Sequence, residues 1–119
     1  MILQWVTLRV QDLAKSKAFY GDFLGMDLQR EFSAGEGMTL VFYDAGNGMQ
    51  IELIEAKGIL TESIRSVSIG LATDRYDELL EASREQGLLQ GEPRVLGGHL
   101  ECFFIPDPDG LGIQVIRKS

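Results

Sequence analysis

Two polar side chains stand inside segments that are mainly apolar and alternate like strands. Glu52 stands in Met49-Gln50-Ile51-Glu52-Leu53-Ile54, and Gln114 in Leu111-Gly112-Ile113-Gln114-Val115-Ile116. Period-two alternation puts Ile113 and Val115 on one side of a strand and Gly112, Gln114 and Ile116 on the other. A carboxylate in a mainly apolar pocket can take a proton from a substrate or hold a cationic or hydroxyl group. Glu52 could equally reach water or pair with Arg9. Trp5 offers a flat apolar ring with one N–H donor, suited to stacking on an aromatic or cationic ligand, or to a core or interface. The only histidine, His99, follows Gly97-Gly98; it could work as acid or base near neutral pH or stand solvated at a loop edge. Cys102, the only cysteine, has no basic neighbour in sequence and reads as a small core residue rather than a nucleophile.

These residues need strands to hold them, and the strands repeat. Asn47-Gly48-Met49-Gln50-Ile51-Glu52-Leu53-Ile54 matches Asp109-Gly110-Leu111-Gly112-Ile113-Gln114-Val115-Ile116 at an offset of 62 residues. The same offset relates Asp12 to Asp74 and Gly25 to Gly87, each pair opening and closing a segment of helical pattern. Ile2 to Val10 reads as a strand with Trp5, Thr7 and Arg9 on one face, and Asp12 as the cap of a helix running to Gly25. Three strands follow, Met26 to Phe32, Met38 to Tyr43 and Met49 to Glu55. The second copy gives Ser66 to Thr73 with Ser68 and Gly70 sharing a face, then a helix capped by Asp74. Strands near Glu92 to Leu96, His99 to Ile105 and Leu111 to Arg117 complete it.

Asp107-Pro108-Asp109-Gly110 is a tight reversal between the last two strands, since Pro presets φ, Asp bonds its own backbone and Gly accepts positive φ. Gly46-Asn47-Gly48 joins strands with no helix after it, so it is not a phosphate loop. Gly35-Glu36-Gly37 is a turn that could serve as a lid or as a plain connection. The expected architecture is α+β: one domain, 1–119, of two tandem βαβββ modules. The first module is 1–55, the connector 56–63 and the second module 64–119.

A chain of 119 residues with 45% apolar and 24% charged side chains suits a single soluble domain. The net charge of −7 argues against nucleic acid and would favour a cationic ligand. No apolar run is long enough for a membrane span, and the N-terminus carries no signal-peptide pattern. One cysteine leaves no intrachain disulfide and makes the cytoplasm the default expectation.

The carriers Val6-Thr7-Leu8-Arg9-Val10, Asp12-Leu13, Phe19-Tyr20, Leu24-Gly25, Ile51-Glu52-Leu53, Asp107-Pro108-Asp109-Gly110 and Gln114 span essentially the whole chain. Together they resemble the vicinal oxygen chelate superfamily of glyoxalase I, bleomycin-resistance proteins and extradiol dioxygenases. The resemblance implies curled mixed sheets around a pocket, and a homodimer. It also implies four pocket positions that ligate metal in metal-using members. Here they are Trp5, Glu52, Ser68 and Gln114, where glyoxalase I would place histidine, glutamate, histidine and glutamate. Tryptophan cannot ligate, serine and glutamine are weak neutral ligands, and only Glu52 and Gln114 remain as ligands at family positions. No cofactor is therefore expected, a divalent metal being the disfavoured alternative. The expected function is binding a small organic, by preference cationic aromatic, molecule at Trp5, Glu52, Ser68, Gln114 and His99. The alternative is a lactoylglutathione-lyase-like lyase or isomerase with Glu52 as catalytic base.

Overall fold

The computed structural model describes residues 1–56 and 66–119, so most of the expected connector at 56–63 lies outside the described residues. The chain divides into two units, Met1–Glu62 and Ser63–Ser119. In the first, strand β1 (Trp5–Arg9) leads through helix α1 (Leu13–Lys17) to β2 (Leu28–Ser33), β3 (Met38–Asp44) and β4 (Gln50–Ala56). The sheet order is β1-β4-β3-β2, with β1 parallel to β4 and the other neighbours antiparallel. The second unit repeats it with β5 (Ser68–Thr73), helix α2 (Tyr76–Glu85), β6 (Arg94–Leu96), β7 (Leu100–Pro106) and β8 (Gly112–Arg117), in the order β5-β8-β7-β6. This is the α+β, twice-βαβββ architecture that the repeat implies, as two four-stranded mixed sheets that do not close.

Each sheet buries the side that meets its helix. In the first unit Leu8, Val41, Tyr43, Ile51 and Leu53 meet Leu13, Phe19 and Tyr20, all of them buried. In the second, Phe103, Ile105, Ile113 and Val115 meet Tyr76 and Leu79, with the Tyr76 and Phe103 ring centroids 5.2 Å apart. Arg117 fastens α2 to this sheet: it bonds Asp77 at 2.8 Å and Glu101 at 3.1 Å, and stacks over Tyr76 at 4.3 Å.

The helix starts differ. Asp12 caps α1 as expected, its carboxylate accepting from the Lys15 N–H at 3.2 Å. Asp74 does not cap α2: the N-cap is Arg75, and no side chain caps it. The Arg75 N–H is taken instead by the Thr73 hydroxyl at 3.0 Å, a local side-chain bond that replaces the capping one. Nor does the first helix continue as α to Gly25. From Ala18 to Phe23 it widens into a π-turn, with Leu24 N–H bonding back to Phe19 C=O at 2.9 Å. The expected reversal at Asp107–Gly110 is present: the Asp107 carboxylate accepts from Asp109 N–H at 2.8 Å and Leu111 N–H at 2.9 Å.

Candidate functional site

Trp5 and Glu52 lie on the same face of the first sheet, away from the helix. Strand register sets Thr7 opposite Glu52, and Phe42 opposite Glu52 on its other side, so all three share that face. Glu52 is 6% exposed and accepts a hydrogen bond from the Thr7 hydroxyl at 2.6 Å. Among the described residues no ion pair joins it; Thr7, not Arg9, is its partner. Beside it Trp5, 45% exposed, meets Phe42 edge to face with centroids 5.6 Å apart.

Two further side chains reach this face because of a β-bulge. The register slips between Leu28 and Arg30, so Leu28 stands opposite Tyr43 but Arg30 stands opposite Phe42. Arg30 and Phe32 therefore join Phe42: the guanidinium sits 4.2 Å from the Phe42 ring centre, and the two phenyl rings stack at 6.3 Å. Leu28 is turned to the opposite face. Simple alternation through Met26–Phe32 cannot show this, because the extra residue of a bulge leaves no mark in the polar pattern.

In the second unit, Ser68 and Gln114 also share the face away from their helix, Ser68 opposite Gly112 and Gln114 between Gly70 and Phe104. Gln114 is half-buried and donates from its amide to Cys102 Sγ at 3.4 Å. Ser68 is exposed. Arg94 lies over Phe104 at 5.4 Å, repeating in weaker form the Arg30–Phe42 stack. Phe104 follows Phe42 by the same 62 residues, so the repeat offset marks both positions. Cys102, a free cysteine, is buried, and register places it on the same face as Gln114 and Phe104. His99 stands apart. It is exposed at the turn before β7, its Nδ1 2.9 Å from Gly97 C=O, at the far end of that strand from the row holding Ser68.

The side chains at the four family positions are unevenly suited to holding a divalent metal. Glu52 is the one carboxylate at the four positions and already accepts from Thr7; Trp5 has no lone pair to give. No three His, Cys, Asp or Glu side chains converge among the described residues.

A paired βαβββ chain with polar groups at these register positions belongs to the vicinal oxygen chelate class. The model of the Glyoxalase/Bleomycin resistance protein/Dioxygenase superfamily matches residues 2–115, and the chain is a member of that family. It is 32% identical to a probable lactoylglutathione lyase of Synechocystis, covering 100% of this chain and 97% of that protein. It is 33% identical to lactoylglutathione lyase of Salmonella typhimurium over 100% of this chain and 94% of the relative. Glyoxalase I of Zea mays superposes with a TM-score of 0.82 at 26% identity, covering 98% of this chain and 44% of the maize chain. The fosfomycin resistance protein FosX of Listeria monocytogenes shares the fold at a TM-score of 0.76 and 21% identity, over 100% of this chain and 96% of that one. No helix among the described residues is long and apolar enough to cross a membrane.

Proposed function

We propose that this chain binds a small organic molecule on the aromatic face of its first unit, without a resident metal. The observation that carries this is the Glu52 carboxylate, buried and steadied by Thr7, on one face with Trp5 and Phe42. Exposed aromatic surface beside a buried acceptor is what a ligand with a flat apolar body and a donor would use. That face already holds the guanidinium of Arg30 over Phe42, so its rings accept a cation, which supports the cationic aromatic class. Ser68 and Gln114 are the second unit's counterparts by resemblance, as hydrogen-bonding groups, and His99 lies at the other end of β7 from the row holding Ser68. In this reading the protein works as a homodimer in the cytoplasm.

The test uses Trp5, the only tryptophan, as reporter. A cationic acridine dye should quench its emission with a Kd below about 1 mM, and Glu52→Gln should weaken binding about tenfold. No quenching in that range overturns the proposal.

A second reading rests on the relatives named lactoylglutathione lyase, 32% and 33% identical across the full chain. Glu52 would then remove a proton next to a carbonyl, and the wild-type protein would form lactoylglutathione while Glu52→Gln would not. An unchanged rate in that variant overturns it.

A further inference from the structure

A cavity of about 450 Å³ opens on the opposite side of the first sheet, between the helical segment and the edge of β2 and β3. Ala14, Ala18 and Gly21 wall one side, with Met26, Leu28 and Tyr43 on the other and Lys17 and Asp22 at the rim. Nothing in the proposed function uses it, since the aromatic face is on the other side of the sheet.

Three features built this space. The β-bulge sends Leu28 to the cavity side, where it stays 52% exposed, a large apolar side chain with little to cover it. The π-turn lies along the wall, and such turns are common at functional sites. Glycine at position 21 keeps the wall thin, because a Cβ there would stand 3.1 Å from the Tyr43 hydroxyl. That hydroxyl belongs to a residue only 3% exposed, and among the described residues its hydrogen bond, donated to Lys17 C=O, is stretched to 3.5 Å. A buried hydroxyl so loosely held has capacity left for a second partner.

The charges choose the ligand's sign. The Lys17 ammonium is held by Glu31 at 2.6 Å, which cancels its charge. Asp22 is exposed and has no ion-pair partner among the described residues, so the rim carries an uncompensated carboxylate. The chain as a whole adds a net charge of −7.

We propose that this cavity is a second binding site, for a small primary ammonium compound with a short aliphatic tail. The ammonium meets Asp22 and the Tyr43 oxygen, and the tail lies on Leu28 and Met26 between the alanines of the helix wall. The volume falls within the range of small-molecule sites.

The experiment titrates n-hexylammonium into the full-length protein and follows backbone amide shifts by NMR. A fragment of this size should saturate below about 10 mM. Asp22→Asn should weaken it about tenfold, Ala18→Leu should block it, and 1-hexanol should bind about tenfold more weakly. Trp5→Ala and Glu52→Gln should leave it unchanged, which separates this site from the aromatic face. Asp22 is exposed, so its variant folds and keeps the test valid should Ala18→Leu fail to. The proposal is overturned if no shifts appear in that range or Asp22→Asn binds as well as wild type. It is also overturned if hexanoate binds in place of the amine, or if the shifts vanish in Glu52→Gln.

Discussion

The two units share strand order, helix position and even an arginine-on-phenylalanine stack, yet they differ at the centre of the face away from the helix. The first unit sets Thr7, Glu52 and Phe42 across one row. The equivalent row of the second is Gly70, Gln114 and Phe104. One row thus holds a buried carboxylate with a hydroxyl to bond it; the other holds a neutral amide facing a glycine. The duplicated frame is the constant part and the polar pair is the variable part, which is why the proposed binding face is placed on the first unit.

The largest contrast should come from the core. Val41 and Phe103 occupy the same register position in the two sheets, and both are wholly buried. Phe103→Ala should cost about 3–5 kcal/mol in urea unfolding and Val41→Ala about 2 kcal/mol. Equal losses would show that the two cores are not packed alike.

Next comes the polar row. Thr7→Val leaves the Glu52 carboxylate buried without its donor and should cost about 1–3 kcal/mol, whereas Gln114→Leu should cost less than about 1 kcal/mol. Reversal of that order in thermal melts would remove the distinction between the rows. The helix starts give a smaller difference. Asp12→Ala loses a cap worth about 1 kcal/mol, while Asp74→Ala should stay within about 0.5 kcal/mol of wild type.

The smallest effect is acid-dependent and sits in the second unit. Hydrogen bonding to Arg117 holds Asp77 below its ordinary value of 3.8. A depressed folded-state value means that the contribution is present above pH 3.8 and fades as pH falls through the lower folded value. Asp77→Asn should flatten that part of the stability curve slightly, this pair being solvent-screened. An identical acid limb in both proteins would show that the Arg117 contact contributes nothing.

The frame was legible because alternation and turn chemistry recur at a fixed offset, and two copies of a weak pattern make a strong one. The parity of Trp5, Glu52, Ser68 and Gln114 was legible for the same reason. What escaped depends on contacts distant in sequence. Thr7 meets Glu52 only through the parallel register of β1 and β4, so Arg9, on the same face, looked an equal partner. Arg30 reaches Phe42 through a bulge that alternation conceals. The π-turn leaves the apolar spacing of Phe19, Tyr20 and Phe23 compatible with an ordinary helix. Asp74 looked like Asp12, but Thr73 beside it supplies a competing hydroxyl.

The parallel pairing of β1 with β4 also sets an order of events. Strands β2, β3 and β4 are neighbours in sequence and can zip together as a meander, closing only short loops. β1 must wait for a template whose far edge is β4, and the Thr7–Glu52 bond spans 45 residues. On loop-closure grounds β1 is therefore expected to be the last strand of its sheet to dock. Thr7→Val should speed unfolding and leave the folding rate nearly untouched, while Val41→Ala slows folding.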